Sequence, residues 1–464
     1  MPCELGEPGE WISEEVREHH RLARDVLNTG GCANPVQLRT IRVDKETGEQ
    51  KVRDLRIACK DRRAALCPAC SARYKADAWF LATSGTLGGK GLPSDVATHP
   101  KVFATLTAPS FGAVHTIRDD GRCHPRRTPP CEHAMPTACH RRHAADDDEA
   151  LGSPLCEWCF DYDAAVLWNA MASRLWHRTV DRLRRRLGAS QGLSQAAFRA
   201  QAQVHQLRVA ETQRRGLVHI HAIVRADGPE GHGSDPPAWL TSELLALELR
   251  AAATTTSILA PDRTKVRWGD QLDVAEIPSV EDAGRAAGYI AKYATKTVDG
   301  SFGLVQAFRT RDAILRATTT SHLRRFALAV WDLGQRDELE DLRLREHAHT
   351  LGFAGHLITK SRGYSTTFAA LRGARALFAI RDIPDDVEFP LYAFGYLGRG
   401  YGHPEGERMA EFWSAFVAED RKERRQQRLA DQEAQASSEG SLETERKKPD
   451  NQEREVHLPS PRAL

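Results

Sequence analysis

Residues 204–227 read VHQLRVAETQRRGLVHIHAIVRAD, and the fold turns on this stretch. Two apolar-rich segments flank the polar run Thr212-Gln213-Arg214-Arg215-Gly216, the pattern of a β-hairpin in which Gly216 relieves the turn. His219 and His221 stand two apart in the second segment. On a strand both imidazoles therefore leave the same face, about 6.5–7 Å apart along the backbone and within reach of one cation. Glu211, on the preceding strand of the hairpin, is placed to lie beside them and supply an oxygen. Two imidazoles and a carboxylate suit a divalent ion that keeps positions open for substrate. A lone HxH pair is more often a polar face packed on a neighbour, so the rest of the chain has to decide.

Further on, AAGYIAKYATKT (286–297) belongs to a helix expected over Val280–Lys296, opened by Pro278 and Ser279 with Glu281 and Asp282 in its first turn. Tyr289 and Tyr293 are four apart and share a helix face, with Lys292 beside them and Lys296 one turn from Lys292. A tyrosine hydroxyl is a poor nucleophile at its ordinary pKa of about 10, but a nearby cation stabilises the phenolate and a metal polarises the phosphate it attacks. Two core tyrosines with solvated lysines would be the blander explanation of this helix alone. The conjunction of a histidine pair on a strand with a Tyr-xxx-Tyr helix and interleaved lysines is far more specific than either half.

Lys101–Ser110 (KVFATLTAPS) alternates as a strand, with Phe103, Thr105 and Thr107 on one face and Val102, Ala104 and Leu106 on the other. An amphipathic helix is expected from about 164 to 187, with apolar residues at steps of three and four, and another over Thr241–Ala252. Residues 118–155, rich in Pro, Arg, His and Asp, are loop-like. After 310 the pattern is mostly helical, and beyond about 417 it decays into a charged tail short of the apolar residues needed to fold.

All ten cysteines fall at or before Cys159. Cys67 and Cys70 form a CxxC knuckle with Cys59 and Cys32 upstream, and four thiolates make a closed tetrahedral zinc site. Cys156 and Cys159 form a second knuckle, whose partners come from Cys123, Cys131, Cys139, His133, His140 or His143. Cys123 with Cys131 would make it all-thiolate; Cys139 with His143, the preferred choice, gives three thiolates and one imidazole. Zinc ligation would replace a missing core in so polar a loop. Cys3 is left over.

Composition narrows the class. Mean hydropathy is −0.50, no apolar run approaches the ~20 residues of a bilayer-spanning helix, and MPCELGEPGEWISEE lacks the basic-then-apolar order of a secretory signal. A cytoplasmic protein with no membrane partner is expected. Lys+Arg at 65 against Asp+Glu at 63 leaves a net charge of +2, so any basic surface comes from local segregation. Arg182, Arg184, Arg185 and Arg186 read as a solvated face, like most charge runs.

The motifs resemble those of the HUH endonucleases, and within them the rolling-circle replication initiators of actinomycete plasmids and integrative conjugative elements. VFATLTAPSFGAVH, ETQRRGLVHIHAIVRAD and GYIAKYATK carry the resemblance, with GCANPVQLR, CKDRRAALCPAC, PLCEWCFDYDAAVLWNAMASRLWHRT and HTLGFAGHLITKSRGYSTTF beside them, so that it covers most of residues 30–375. It implies that His219 and His221 bind Mg2+ or Mn2+ with Glu211 as third ligand. It implies that Tyr293 nicks, that Tyr289 serves the strand-closing transfer, and that Lys292 orients the phosphate or stabilises the phenolate. The implied substrate is single-stranded or cruciform origin DNA, cut to a 5'-phosphotyrosine and a 3'-OH primer. Arg214, Arg215, Lys296, Lys360 and Arg362 would contact DNA. No GxxxxGK[ST] sequence is present, so a host helicase would unwind and a host polymerase extend.

The expected architecture is α+β: an antiparallel, ferredoxin-like or RRM-like sheet with the metal strand in its middle and the tyrosine helix across it. It would comprise an N-terminal zinc module (1–95), a nuclease domain (96–305) with a zinc-bearing insertion (118–163), a helical, basic region (306–416) and a largely disordered tail (417–464). A YxxxY transposase or relaxase would use the same residues, though the flanking matches favour the initiator. A two-histidine, one-carboxylate iron oxygenase needs a jelly-roll pattern that the helical second half does not provide. A zinc-dependent DNA-binding regulator with structural tyrosines is the non-enzymatic alternative.

Overall fold

The structure, a computed structural model, describes residues 13–43, 47, 49–117, 122–124, 129–144, 150–296, 307–379 and 392–446. In chain order its elements are α1 (Glu14–Thr29), β1 (Val36–Val43), β2 (Gln50–Ile57), α2 (Pro68–Leu87), β3 (Lys101–Leu106), α3 (Tyr162–Ser190), α4 (Gln195–Arg199), β4 (Gln203–Thr212), β5 (Val218–Asp227) and α5 (Ser242–Thr255). There follow β6 (Ser257–Leu259), β7 (Lys265–Arg267), β8 (Leu272–Glu276), α6 (Val280–Lys296), α7 (Arg311–Leu315), α8 (Ser321–Leu333), β9 (Ile358–Lys360), α9 (Phe368–Ala379), β10 (Tyr392–Arg399) and α10 (Pro404–Arg446). None of the described helices is long and apolar enough to cross a membrane.

The chain divides into two units, Met1–Thr40 with Val52–Ala58 and Phe394–Leu464, and Ile41–Lys51 with Cys59–Ala393. The expected boundary at 95 does not fall between them: α2 packs against α6 within the second unit. In the first unit α1 packs on α10 through Leu22, Val26 and Ala410, with Tyr401 buried among them. Of the tail expected to be largely disordered (417–464), the part up to Arg446 is helical, and 447–464 lie outside the described residues. Its Glu, Gln, Arg and Ala content favours helix, and pairs such as Lys422–Glu419 and Arg424–Asp420 add local support, even where little core is available.

The second unit is built on a five-stranded antiparallel sheet in the order β8-β3-β5-β4-β9. The histidine strand β5 is central, and the alternation along it and its neighbours makes two faces. Val218, Ile220, Ala222, Val224 and Ala226 join Val102, Ala104 and Leu106 in the main core with α3, α5 and α8. On the other face Leu207, Val209 and Ile223 pack against Ala287, Ile290 and Ala294 of α6 and Ala78 and Ala82 of α2. Buried on both sides, the central strands are held in one register, because a slip of one residue would send every histidine to the wrong face.

Helix ends follow the sequence signals. Thr241 Oγ1 accepts from Leu244 N at the start of α5, and Ser279 Oγ accepts from Asp282 N at the start of α6. β3 is shorter than expected, ending at Leu106. β9 was not anticipated: its three residues are too few to show a period, and its Lys360 read as a surface cation.

Candidate active site

The hairpin closes as its turn residues require. Thr212 pairs with Val218, Gln213 N donates to Leu217 O, and Gly216 holds φ +80° in the left-handed region. That register puts Glu211 directly opposite His219, and Val209 opposite His221. The two imidazoles stack with centroids 4.5 Å apart, and His221 Nε2 lies 3.2 Å from Glu211 Oε2. Both groups are buried: His221 is 2% exposed and Glu211 7%.

Helix α6 crosses this face and brings both tyrosines onto the histidines. The His221 ring is 4.6 Å from that of Tyr293 and 5.0 Å from that of Tyr289, and the tyrosine rings are 4.4 Å apart. Burial, then a hydrogen bond with Tyr293 and the charges of Glu211 and Asp273, push the Tyr289 hydroxyl well above its ordinary range. Lys292, exposed, sets its ammonium 5.7 Å from the Tyr293 ring centre. Lys296 closes the helix, and its side chain lies outside the described residues.

Three residues not singled out in the sequence complete the surroundings. Thr105 Oγ1 contacts His221 Nδ1 at 3.2 Å and Gln213 Nε2 contacts His219 Nδ1 at 2.7 Å. The Thr105 hydroxyl can accept from His221 Nδ1–H, which leaves that ring's Nε2 lone pair for ligation, while the Gln213 amide N–H donates to His219 Nδ1. Phe103 stands edge-on to Tyr289 at 5.4 Å. The face of β3 that carries Phe103 and Thr105 was legible; their pairing with β5 was not, because cross-strand register is absent from a single strand's pattern. Two imidazoles and a buried carboxylate fit a divalent cation by their chemistry. Three protein donors leave positions that water or phosphate oxygens would fill.

The expected DNA contacts separate into two kinds. Arg215 is committed to the protein: its guanidinium donates to Gln213 Oε1 and to the carbonyls of Pro109 and Ala108, and burial lowers its pKa. Lys360 donates to the carbonyls of Ser361 and Ser365, also with a pKa lowered by burial. Arg214 and Arg362 are exposed. Beyond the hairpin turn a cavity of about 780 Å³ opens, lined by Gln213, Arg214, Arg215, Arg267, His115 and His124 among others. Arg182, Arg184 and Arg186 pair with Thr255, Asp181 and Glu248.

The cysteines gather as the spacing suggested, with one correction. Cys59, Cys67 and Cys70 come together, Cys59 Sγ lying 3.7 Å from Cys70 Sγ, and Cys32 is buried. The preferred set of Cys139 and His143 with Cys156 and Cys159 does not form. Cys139 and His143 meet His115 and Cys123, whereas Cys156 and Cys159 meet Cys131 and His133. The cause is the path of the loop: His124 and Cys139 form a bridge through reciprocal backbone hydrogen bonds, which carries Cys139 to Cys123 and away from the knuckle.

Residues 18–451 match the family described as replication initiator protein, pSAM2 (RepSA), a match that extends past both ends of the motif-bearing region. A replication initiator protein of Streptomyces ambofaciens is 39% identical over 426 residues, covering 84% of this chain and 88% of that relative. No solved structure matches the chain. With most of its length and its site region inside that match, the chain belongs to the RepSA family of replication initiators.

Proposed function

We propose that this initiator nicks single-stranded or hairpin origin DNA by tyrosine transesterification on an HUH-type palm. The observation that carries the reading is the convergence on His221: Glu211 at 3.2 Å on one side, and the rings of Tyr289 and Tyr293 within 5.0 Å on the other. A metal ligand and a nucleophile have to meet at one phosphate, and elements far apart in sequence are brought together here.

Glu211, His219 and His221 would hold Mg2+ or Mn2+, which when bound stabilises charge on the phosphoryl oxygens. Tyr293 loses its proton to solvent, and its phenolate oxygen forms a bond to phosphorus. The 3'-oxygen leaves and takes up a proton as the 3'-OH, while the 5'-phosphate stays on the tyrosine. Lys292 stabilises the phenolate. Tyr289, whose hydroxyl is harder to ionise, attacks in the second, strand-closing transfer. The 3'-OH primes a host polymerase after a host helicase opens the duplex. The cavity flanked by Arg214 and Arg267 takes the strand beside the scissile phosphate.

The test is a labelled origin oligonucleotide incubated with the protein and Mn2+. A covalent adduct on a denaturing gel is expected, lost with Tyr289→Phe/Tyr293→Phe. Full nicking by that double variant would sink the mechanism. His219→Ala and His221→Ala should abolish cleavage while DNA binding persists.

A further inference from the structure

Eight of the Cys and His residues in the polar stretch between β3 and α3 cluster, and along the chain they fall in four successive pairs: His115 and Cys123, Cys131 and His133, Cys139 and His143, Cys156 and Cys159. In space they sort by alternate pairs. The first joins the third and the second joins the fourth, each set with all its ligand atoms within 4.8 Å of one another. We infer that this stretch is a cross-braced module binding two zinc ions, one on His115, Cys123, Cys139 and His143, the other on Cys131, His133, Cys156 and Cys159.

The spacings are those of a metal tetrahedron. With ordinary Zn–N and Zn–S bond lengths, its edges come to about 3.3 Å between nitrogens and about 3.5 Å between nitrogen and sulfur. In the first set His115 Nδ1 and His143 Nε2 are 3.2 Å apart, Cys123 Sγ is 3.7 Å from His115 Nδ1, and Cys139 Sγ is 3.6 Å from His143 Nε2. In the second, His133 Nδ1 lies 3.3 Å from Cys159 Sγ and 3.9 Å from Cys156 Sγ. Thiols are weak donors and weak acceptors, so hydrogen bonding alone gives four such groups little reason to converge. Between His115 and Cys159 the described residues contribute no helix or strand, only isolated bridges, and ligation supplies what core packing does not.

Interleaving ties the two ions together. The chain from Cys123 to Cys139 contains Cys131 and His133, and the chain from His133 to Cys156 contains Cys139 and His143. The first ion also fixes His115, which lines the cavity beside the hairpin turn. The two sites differ chemically: one offers two thiolates and two imidazoles, the other three thiolates and one imidazole.

The experiment is zinc content of the full chain by native mass spectrometry and elemental analysis after dialysis, with no DNA reaction involved. Cys123→Ser and Cys131→Ser should each lose about one zinc relative to the parent and the double variant about two. His115→Cys and His133→Cys, which keep four donors, should retain the parent's count. In cobalt-substituted protein, thiolate-to-metal absorption should fall further for Cys131→Ser than for Cys123→Ser. Loss of the same single equivalent in both serine variants and their double would overturn the proposal in favour of one mixed site; no loss in any would remove both sites. Should the serine variants not fold, loss of zinc from the two His→Cys variants would overturn it equally.

Discussion

At the scale of single residues, His221 is the hub: Thr105, Glu211, His219, Phe103 and both tyrosines touch it. Tyr293→Phe should abolish the first nick, a loss of at least about 10²-fold, while Tyr289→Phe leaves it and slows only rejoining; single-turnover adduct assays separate the two. Thr105→Val should weaken Mn2+ binding by about 10–100-fold, read by calorimetry, because the His221 imidazole loses the hydroxyl that orients it through Nδ1. The histidines and tyrosines stood out only by the conjunction of their two spacings, and their roles came from the resemblance, whereas Gln213 read as a turn residue, and Arg215 and Lys360 read as DNA contacts although their donors are committed to groups of the protein itself. Far from the site, burial lowers the His205 pKa to about 4, beside the buried Asp227. A histidine whose folded pKa is depressed contributes stability that is complete above its unfolded value near 6.5 and is lost as pH falls through the folded one. Thermal unfolding should therefore weaken by roughly 3 kcal/mol between pH 6.5 and 4, and His205→Gln should flatten that profile.

At the scale of elements, legibility followed length and period. α3 and α6 are long and amphipathic, and both were readable within a few residues of their bounds, as was the hairpin of β4 and β5 with its polar turn. β9 is too short to show a pattern, and the zinc-ligand pairing depends on a loop path that no spacing encodes. How the insertion meets the hairpin depends on one position, Gly152. Its φ of +85° lies in the left-handed region, and an added Cβ would stand 2.5 Å from the backbone carbon of Arg214 and 2.7 Å from Arg215 N. Gly152→Ala has to push the insertion off the hairpin turn and should cost about 1–3 kcal/mol, seen as a lowered denaturation midpoint. Its zinc content should stay at the parent level, since no ligand is touched. Nicking should fall with the displaced turn, because Gln213, which holds His219, sits on it.

At the scale of the whole molecule, the net charge of +2 hides a local segregation. Arginines on α3 pair with Thr255, Asp181 and Glu248; Arg214 and Arg267 border the cavity next to the site, Arg267 also pairing with Asp270 at 3.4 Å, and Arg362 is exposed just past β9, the edge strand of the same sheet. Binding of single-stranded DNA releases counterions in proportion to the phosphates neutralised, with a log–log salt slope of about −0.7 per contact. If these three arginines each meet a phosphate, the slope should be about −2 or steeper, far more than the overall charge suggests. Arg214→Ala, Arg267→Ala and Arg362→Ala should each flatten it by about 0.7, whereas Arg182→Ala, on the helix packed against the opposite face, should leave it unchanged. Fluorescence anisotropy over a salt series, with the Tyr289→Phe/Tyr293→Phe background to prevent cleavage, measures all four. Equal flattening by Arg182→Ala would mean that the strand does not follow the cavity, and would move the DNA path to the other side of the sheet.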